Sequence, residues 1–261
     1  MLVLKKNKLY FIDKQKKLFY RLLITINSNI SLINIKNVRY QVFLVGPSSL
    51  GILIITAYFI GIIFTLQIIK EFLYLNASSC IGAILSLSFI RELSPVLTAV
   101  ILTGKISSAF TAELATMQVT EQIDALYILR VSPLHYLILP RLIACLLMLP
   151  CLNIIFLLTS LSSSILICSI FYSIHPLVFI HSACVGLSYI DLLKSTTKAL
   201  AFSLVIAIIS CIWGLITKGG AKKVGQATTS SVVTSLLLIF IVDCILTYFL
   251  FNQSVSIIRS L

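Results

Sequence analysis

Residues 45–69 read VGPSSLGILIITAYFIGIIFTLQII, and this stretch decides the fold class. It lies between Arg39 and Lys70 and contains no charged residue. A helix needs about 20 apolar residues to cross the hydrocarbon core of a bilayer. In lipid only helices and closed barrels satisfy every backbone N–H and C=O, and this run is far longer than the ~10-residue alternating strands of a barrel. The stretch therefore predicts a transmembrane helix.

The composition of the whole chain agrees with that prediction. Hydrophobic residues make up 59% of the 261 positions, charged residues make up 11%, and the mean hydropathy is +1.09. A soluble domain carries about 25% charged residues, because water must solvate its surface. We therefore expect an all-α, polytopic membrane protein with an N-terminal interfacial amphipathic helix and about five transmembrane helices.

Four further apolar runs supply the remaining predicted spans, at residues 79–112, 139–172, 197–217 and 231–251. Arg91, Glu92 and Lys105 interrupt the second run, and Pro150 is expected to kink the third. A polar segment separates these two runs at residues 113–138, and a loop with a short helix is expected at 173–194. Whether residues 139–190 hold one span or two stays open at this point. Five spans place the N-terminus inside and the C-terminus outside.

The distribution of basic residues supports this orientation in part, because cytoplasmic loops are enriched in Lys and Arg. Lys105, Arg130 and Arg141 fall on one predicted inner loop, and Lys218, Lys222 and Lys223 fall on the other. Lys194 and Lys198 count against the orientation, since they flank the predicted outer loop.

The N-terminal segment carries much of the net charge of +12. Nine of the chain's 20 basic residues precede position 40: Lys5, Lys6, Lys8, Lys14, Lys16, Lys17, Arg21, Lys36 and Arg39. They alternate with apolar side chains, which is typical of a helix lying on the cytoplasmic or stromal membrane surface. We therefore divide the chain into a basic interfacial segment, 1–44, and a single membrane domain, 45–261. No nucleic-acid-binding module accompanies the charge, so no nucleic-acid partner is predicted.

The segment also lacks the features of a secretory signal or a transit peptide. The chain is therefore expected to need no import, as for a bacterial or an organelle-encoded protein. The abundance of Ile, Lys, Asn and Leu favours an AT-rich genome such as that of a plastid.

Arg91, Glu92 and Pro95 form the first candidate site, inside the second apolar run. Adjacent helical residues do not face each other, so Arg91 and Glu92 do not neutralise one another along one face. Pro95 lacks an N–H and clashes with the carbonyl of residue 91, which loosens the helix. Charges at such an irregularity indicate a functional site. The alternative is a pair near the outer interface that only anchors helix packing.

Residues 113–126 form the second candidate, a surface helix. With 100° per residue, Ala115, Val119, Ile123 and Leu126 share one face, and Glu113, Thr120, Glu121 and Asp124 share the other. Ser132 and Pro133 are expected to end this helix, because a residue before proline avoids the α region. The carboxylates are suited to a soluble partner, and a solvated loop helix without a partner is the alternative.

The chain contains no nucleotide-binding motif. Residues 218–231 are basic and glycine-rich but lack the G-x-x-x-x-G-K-[ST] spacing, and Gly104-Lys105 also fails that pattern. Serine-hydrolase and zinc signatures are missing too. The chain is therefore predicted to be no enzyme and to bind no cofactor or metal, with any ATP bound by a partner subunit.

Several of these motifs together resemble the MlaE-type permease family. The closest match runs over residues 88–126, from Ser88-Phe-Ile-Arg-Glu-Leu-Ser-Pro-Val through Gly104-Lys to Glu121-Gln-Ile-Asp-Ala-Leu, and the similarity extends over about 40–252. Further matching positions are Pro140-Arg141, Pro150, Asp191 with Lys194 or Lys198, and the run 224–229, which includes Gly225, Thr228 and Thr229. The family includes bacterial phospholipid permeases, a plant chloroplast-envelope lipid importer and plastid-encoded algal members, and the chain is most similar to the last group.

The resemblance implies an ABC-type permease that moves phospholipid. It implies a homodimer, a separate ABC ATPase subunit that binds ATP, and an MCE-type substrate-binding partner. It places Arg91, Glu92 and Pro95 at the lipid cavity, and Glu113, Glu121, Gln122 and Asp124 in the segment that couples to the ATPase. Lys105, Gly225, Thr228 and Thr229 belong to an inner-loop motif. The family usually has Arg at the position of Lys105. Lysine keeps the positive charge but lacks the forked guanidinium that can bind a carboxylate or phosphate through two hydrogen bonds.

The resemblance favours the inner membrane of the plastid envelope as the location, with a bacterial inner membrane as the alternative. Two other functions stay open. One is an ion-coupled secondary carrier in which Glu92 or Asp243 binds a proton, and the other is a membrane scaffold that transports nothing.

Overall fold

A computed structural model describes residues 35–75 and 80–251. These residues form α-helices at Ile35–Val45, Pro47–Tyr74, Ile81–Ser88, Ser94–Leu102, Ser108–Val119, Gln122–Ile128, Leu139–Tyr172, Pro176–Gly186, Tyr189–Ile216 and Ala221–Phe251. Turns of π-helix at Phe89–Leu93, Thr103–Ser107 and Leu134–Ile138 join some of them. The described part of the chain contains no strand, which confirms the all-α prediction.

Five helical stretches are long and apolar enough to cross a membrane: Ile35–Tyr74, Ile81–Val119, Leu134–Tyr172, Tyr189–Ile216 and Ala221–Leu250. We call them the first to fifth spans. The five stretches confirm the prediction of about five spans. Residues 139–190 contain one span, which is followed by the short helix Pro176–Gly186. The predicted interfacial segment lies mostly outside the described residues, and its last part is the helix Ile35–Val45.

The spans are longer than the apolar runs that predicted them. The second span has 39 residues, which at ~1.5 Å per residue is about twice the ~30 Å hydrocarbon core. Part of it therefore extends beyond the hydrocarbon, and Glu113 is still within this helix. Lys105 and Arg141 also lie inside spans, so the prediction that they are on an inner loop was wrong.

The predicted continuous helix over 113–126 was also wrong. The helix stops at Val119, Glu121 has a left-handed backbone with φ of 59°, and a new helix begins at Gln122. The hydroxyl of Thr116 donates to the carbonyl of Ala112, and that of Thr120 donates to the carbonyl of Thr116. Such side-chain bonds compete with the helical ladder and favour its end. The single face shared by the four polar residues therefore does not exist.

Two further boundaries differ from the prediction. The helix Gln122–Ile128 ends before Arg130, which has φ of 56°, so Ser132 and Pro133 precede the next helical segment instead of ending this one. The fifth span begins at Ala221, because Gly219 turns the chain with φ of 116° and Gly220 accepts from the N–H of Lys223. Glycine adopts this conformation at no steric cost. Gly225, Thr228 and Thr229 are therefore helical and lie on no loop.

The chain forms two compact units. The first unit comprises Met1–Val45, Leu102–Leu147 and Ser203–Ile239, and the second comprises Gly46–Ile101, Met148–Phe202 and Phe240–Leu261, each as far as the structure describes it. In the first unit, small polar residues join the spans: the Thr111 hydroxyl donates to Ser231 at 2.8 Å, and the hydroxyls of Ser231 and Ser107 are 2.8 Å apart. Small side chains let helices approach closely in membranes.

The second unit is held together by apolar packing and by close contacts between helices at small residues. Its buried cluster includes Ile69, Leu85, Phe89, Leu157 and Phe179. Gly61 on the first span faces the backbone of Ser160 on the third, and the Thr65 hydroxyl donates to Ser164 at 2.8 Å. A buried hydroxyl pair and a glycine contact thus fix these two spans against each other.

Candidate functional site

The second unit contains a cluster of charged side chains that we call the charge cluster: Arg91, Glu92, Asp191, Lys198 and Asp243. Arg91 and Glu92 lie in the π turn Phe89–Leu93. A π turn is rare and is often found at functional sites. Pro95 follows directly and is buried. The sequence predicted an irregularity at this point, and the structure has one.

Lys198 occupies the centre of the charge cluster. Its side chain is fully buried, and its ammonium lies 2.7 Å from Glu92 Oε2 and 2.9 Å from Asp243 Oδ1. It also donates to the Thr247 hydroxyl at 2.7 Å. A buried cation is costly unless it is paired and hydrogen-bonded. This lysine meets that condition with partners from the second and fifth spans.

The backbone of the π turn supplies a further acceptor to Lys198. Pro95 has no N–H to offer the carbonyl of Arg91, four residues earlier. The Lys198 ammonium donates to that carbonyl at 3.0 Å. Pro95 and Lys198 are therefore connected through one backbone oxygen, which explains why the helix irregularity and the buried lysine occur together.

Arg91 points to a different carboxylate. Its Nε donates to Asp191 Oδ1 at 3.1 Å, and the Ser188 hydroxyl donates to Asp191 Oδ2 at 2.6 Å. Ser188 precedes the fourth span, and its oxygen also accepts from the backbone N–H of Asp191. Arg91 and Glu92 are thus paired with separate partners, as their adjacency on the helix predicted.

An uncharged network lies beside the charge cluster. The Ser94 hydroxyl donates to the carboxamide oxygen of Asn153, and the Asn153 nitrogen donates to the Ser195 hydroxyl at 3.0 Å. All three residues are buried. Fully bonded networks of this kind are rigid. They hold the second, third and fourth spans in place around the charges.

Exposure distinguishes the members of the charge cluster. Glu92 keeps 42% of its side-chain area exposed and Arg91 keeps 26%, whereas Asp191 keeps 3% and Lys198 none. The buried members therefore position the two exposed ones. A guanidinium and a carboxylate on adjacent residues can contact a polar group that carries both anionic oxygens and hydrogen-bond donors.

Residues 38–249 match the family described as Permease MlaE. The chain belongs to the MlaE permease family. A probable ABC transporter permease protein of Pyropia yezoensis, ycf63, is 51% identical over 240 residues, which are 92% of this chain and 90% of that protein. A probable ABC transporter permease protein of Synechocystis is 49% identical over 220 residues, 84% of each chain.

A chloroplast protein is also similar. Protein TRIGALACTOSYLDIACYLGLYCEROL 1, chloroplastic, of Arabidopsis thaliana is 43% identical over 217 residues, which are 83% of this chain and 62% of that protein. Together with the five spans, these relatives make the chain a multi-pass membrane protein and the permease subunit of an ABC-type transporter.

The residues predicted for coupling do not form one group in this permease. Glu113 lies on the second span and accepts from Arg141 Nη2 at 2.7 Å. Glu121, Gln122 and Asp124 lie at the break and in the following short helix, and all three are exposed. Ile123 anchors that helix with 3% exposure. Glu113 is therefore part of an intramolecular ion pair and separate from the exposed acidic surface.

The exposed surface of the short helix also carries large apolar residues. Tyr127, Ile128 and Leu129 are 60%, 83% and 70% exposed. We call this surface, with Glu121, Gln122 and Asp124, the acidic–apolar surface. Exposed apolar groups beside charges are common at protein interfaces.

The predicted inner-loop motif lies in regular structure. Lys105 is in the π turn Thr103–Ser107. The hydroxyls of Thr228 and Thr229 both bond to the carbonyl of Gly225 within the first turns of the fifth span. These bonds are local to the helix and assign no ligand to the motif.

Sequence reasoning missed the central residue of the charge cluster. Lys198 was interpreted as a loop-flanking charge and as one of two lysines that could match a family position beside Asp191, and Thr247 was not considered. The available signal was a lysine and an aspartate inside two different apolar spans, since opposite charges in lipid pair with each other.

Proposed function

We propose that this permease moves a lipid, of the phospholipid class, using ATP that is bound and hydrolysed by a separate ATPase subunit. The observation that carries the proposal is the charge cluster within apolar spans. Charges in a membrane interior are expensive and usually mark a substrate pathway. The partly exposed pair Arg91 and Glu92 offers a cation and an anion to a headgroup, while Lys198 and Asp191 hold them in place.

The acidic–apolar surface is our proposed contact for the ATPase. A surface facing anionic lipid favours basic residues, so a carboxylate surface is better suited to a soluble protein. Movement of the ATPase would then reach the second span through the short helix Gln122–Ile128, which follows it directly. Transport would be a population shift between two packed states of the permease.

We also propose the wider assembly and location. The permease works as a homodimer with one ATPase per protomer, and an MCE-type protein delivers or receives the lipid. The complex lies in the inner membrane of the plastid envelope. The similarity to a chloroplast protein of Arabidopsis supports a plastid membrane.

Glu92→Gln tests the proposed lipid site. The substitution keeps the shape of the side chain and removes its charge, while Lys198 retains Asp243 and Thr247 as partners. The complex should therefore still assemble. We expect ATP-driven phospholipid transfer and co-purified phospholipid to fall about tenfold, the effect of one charged hydrogen bond of ~1.5 kcal/mol.

Glu71→Gln is the matched control, because Glu71 is an exposed carboxylate near the end of the first span. It should transfer lipid like the wild type. Normal lipid occupancy and transfer in an assembled Glu92→Gln complex would remove Glu92 from the pathway.

Glu121→Lys tests the proposed ATPase contact. Reversing an exposed charge leaves the fold unchanged, but in the complex it would place a cation where a carboxylate is paired. Such a change at a buried interfacial charge costs at least ~2 kcal/mol, which is about 30-fold in affinity. The measurement is co-purification of the ATPase and its hydrolysis rate in the complex.

Glu71→Lys introduces the same charge reversal at an exposed residue that is not part of the acidic–apolar surface, and it should leave ATPase binding unchanged. If Glu121→Lys binds the ATPase and supports hydrolysis as well as this control does, the short helix is a solvated segment without a coupling role.

A further inference from the structure

The hydroxyl of Thr247 has different partners from those of other threonines on the fifth span. Thr228, Thr229 and Thr234 each donate to a backbone carbonyl three or four residues earlier in their own helix. Such local bonds are common for threonines inside helices. Thr247 instead donates to the Glu92 carboxylate on the second span, with its oxygen 3.1 Å from Oε1. Its hydroxyl therefore joins the fifth span to a residue of the charge cluster.

The chemistry of the neighbouring groups fixes the direction of both hydrogen bonds at Thr247. Its oxygen lies 2.7 Å from the Lys198 ammonium, which can only donate, so the hydroxyl oxygen accepts there. A hydroxyl has a single hydrogen to donate. That hydrogen is left for Glu92, whose Oε1 and Oε2 lie 3.1 Å and 3.4 Å from the Thr247 oxygen. Thr247 is therefore a hydrogen-bond donor to the Glu92 carboxylate.

Lys198 and Thr247 together hold both oxygens of the Glu92 carboxylate. Lys198 donates to Oε2 at 2.7 Å, and Thr247 is the donor to Oε1 in the part of the chain that the structure describes. The last torsion of a glutamate side chain is broad, so a carboxylate held at one oxygen can turn. A carboxylate held at both oxygens keeps one orientation. It has about four acceptor positions, and Glu92 is 42% exposed, so it can still accept hydrogen bonds from a ligand.

Lys198 does not depend on Thr247 for its own hydrogen bonds. An ammonium has three N–H groups, and three other acceptors surround it: Glu92 Oε2, Asp243 Oδ1 at 2.9 Å and the Arg91 carbonyl at 3.0 Å. Asp243 lies one helical turn before Thr247, on the same face of the fifth span. The fifth span thus supplies Asp243 to the buried cation and Thr247 to the partly exposed carboxylate. Removal of the Thr247 hydroxyl would leave the cation bonded but would no longer fix the orientation of Glu92.

We propose that Thr247 is a positioning residue of the lipid site, which acts by orienting the Glu92 carboxylate toward hydrogen-bond donors of the lipid headgroup. This inference rests on the proposed lipid function. Supporting hydrogen bonds hold a binding group in its productive orientation, because a ligand must otherwise order that group when it binds. A headgroup amine or hydroxyl therefore binds more weakly when the Thr247 hydroxyl is missing. Thr247 itself need not contact the lipid.

Thr247→Val tests the inference, because valine has nearly the same shape as threonine but no hydroxyl. The permease is purified with its ATPase in detergent and titrated with phosphatidylethanolamine and phosphatidylglycerol labelled on an acyl chain, and fluorescence anisotropy gives the dissociation constants. We expect about fivefold weaker binding, the effect of one lost hydrogen bond. Thr247→Ser keeps the hydroxyl and should bind like the wild type. Thr159→Val is the matched control and should also bind normally, since the Thr159 hydroxyl donates to backbone carbonyls of its own helix.

Further measurements on Thr247→Val separate positioning from a structural role. The complex should assemble and unfold near the wild-type temperature, and transfer at saturating lipid should change less than about twofold, because a lost binding contact acts on affinity. In a Glu92→Ala background, Thr247→Val should weaken binding no further.

Four results would overturn the inference and leave the lipid function in place: loss of assembly, wild-type affinity in Thr247→Val, weak binding in Thr247→Ser, or the same loss of affinity without Glu92. A wild-type complex that neither binds these lipids nor transfers them with ATP would overturn the proposed function as well.

Discussion

Lys198→Met should lower the free energy of unfolding by about 3 kcal/mol, because it leaves the Asp243 carboxylate, only 18% exposed, without its cation and breaks the ion pair to Glu92. Lys198 is the cation that contacts both Glu92 and Asp243, and its own side chain is fully buried. Methionine has similar length but offers no donor to these carboxylates or to the Arg91 carbonyl. Thermal unfolding in detergent, followed by circular dichroism, measures the loss.

Two companion variants make this result specific. Lys194→Met removes a partly exposed lysine one turn earlier in the fourth span, and it should unfold close to the wild-type temperature. Adding Asp243→Asn to Lys198→Met removes one of the stranded charges and should restore part of the stability. A Lys198→Met protein as stable as the wild type would mean that the charge cluster does not hold the second unit together.

Gly61→Val should destabilise the second unit by about 3 kcal/mol or more. A side chain at Gly61 meets the carbonyl oxygen and Cα of Ser160, which are backbone atoms and do not move aside without shifting the third span. Overpacking typically costs about 1–3 kcal/mol, and separation of the spans would also lengthen the Thr65–Ser164 hydrogen bond. Thermal unfolding of the purified chain gives the difference.

Gly51→Val is the control for this substitution. Gly51 lies in the same helix, and a Cβ there meets nothing within 4 Å. Both variants replace a glycine with valine in the same helix, so the change in intrinsic helix propensity is the same and drops out of the comparison. Equal unfolding temperatures for the two variants would contradict the close approach of the first and third spans.

The fold class could be predicted from the sequence because lipid imposes one requirement over many residues. Each apolar run, such as residues 45–69, must be helical to satisfy its own backbone. The helix ends were harder to predict, because they depend on particular residues. Thr116 and Thr120 end a helix at Val119 through their hydroxyls, and Gly219 lets the fifth span begin ten residues before the predicted 231.

Only part of the candidate site could be predicted from the sequence. Arg91, Glu92 and Pro95 are neighbours, so their charges and the helix irregularity could be seen together. Their partners Asp191 and Lys198 are about a hundred positions away and come close only through packing. The pairing of Glu113 with Arg141 was missed for the same reason, since a helical-wheel argument considers only one segment.

The most direct test of the proposed function is phospholipid transfer by the purified permease with its ATPase in proteoliposomes. We expect transfer of a labelled phospholipid to require ATP and both subunits, and the permease alone to hydrolyse no ATP. Transfer by the permease alone, driven by an ion gradient without an ATPase, would contradict the account and identify a secondary carrier. ATP hydrolysis by the permease chain itself, abolished by changing its own residues, would contradict it equally.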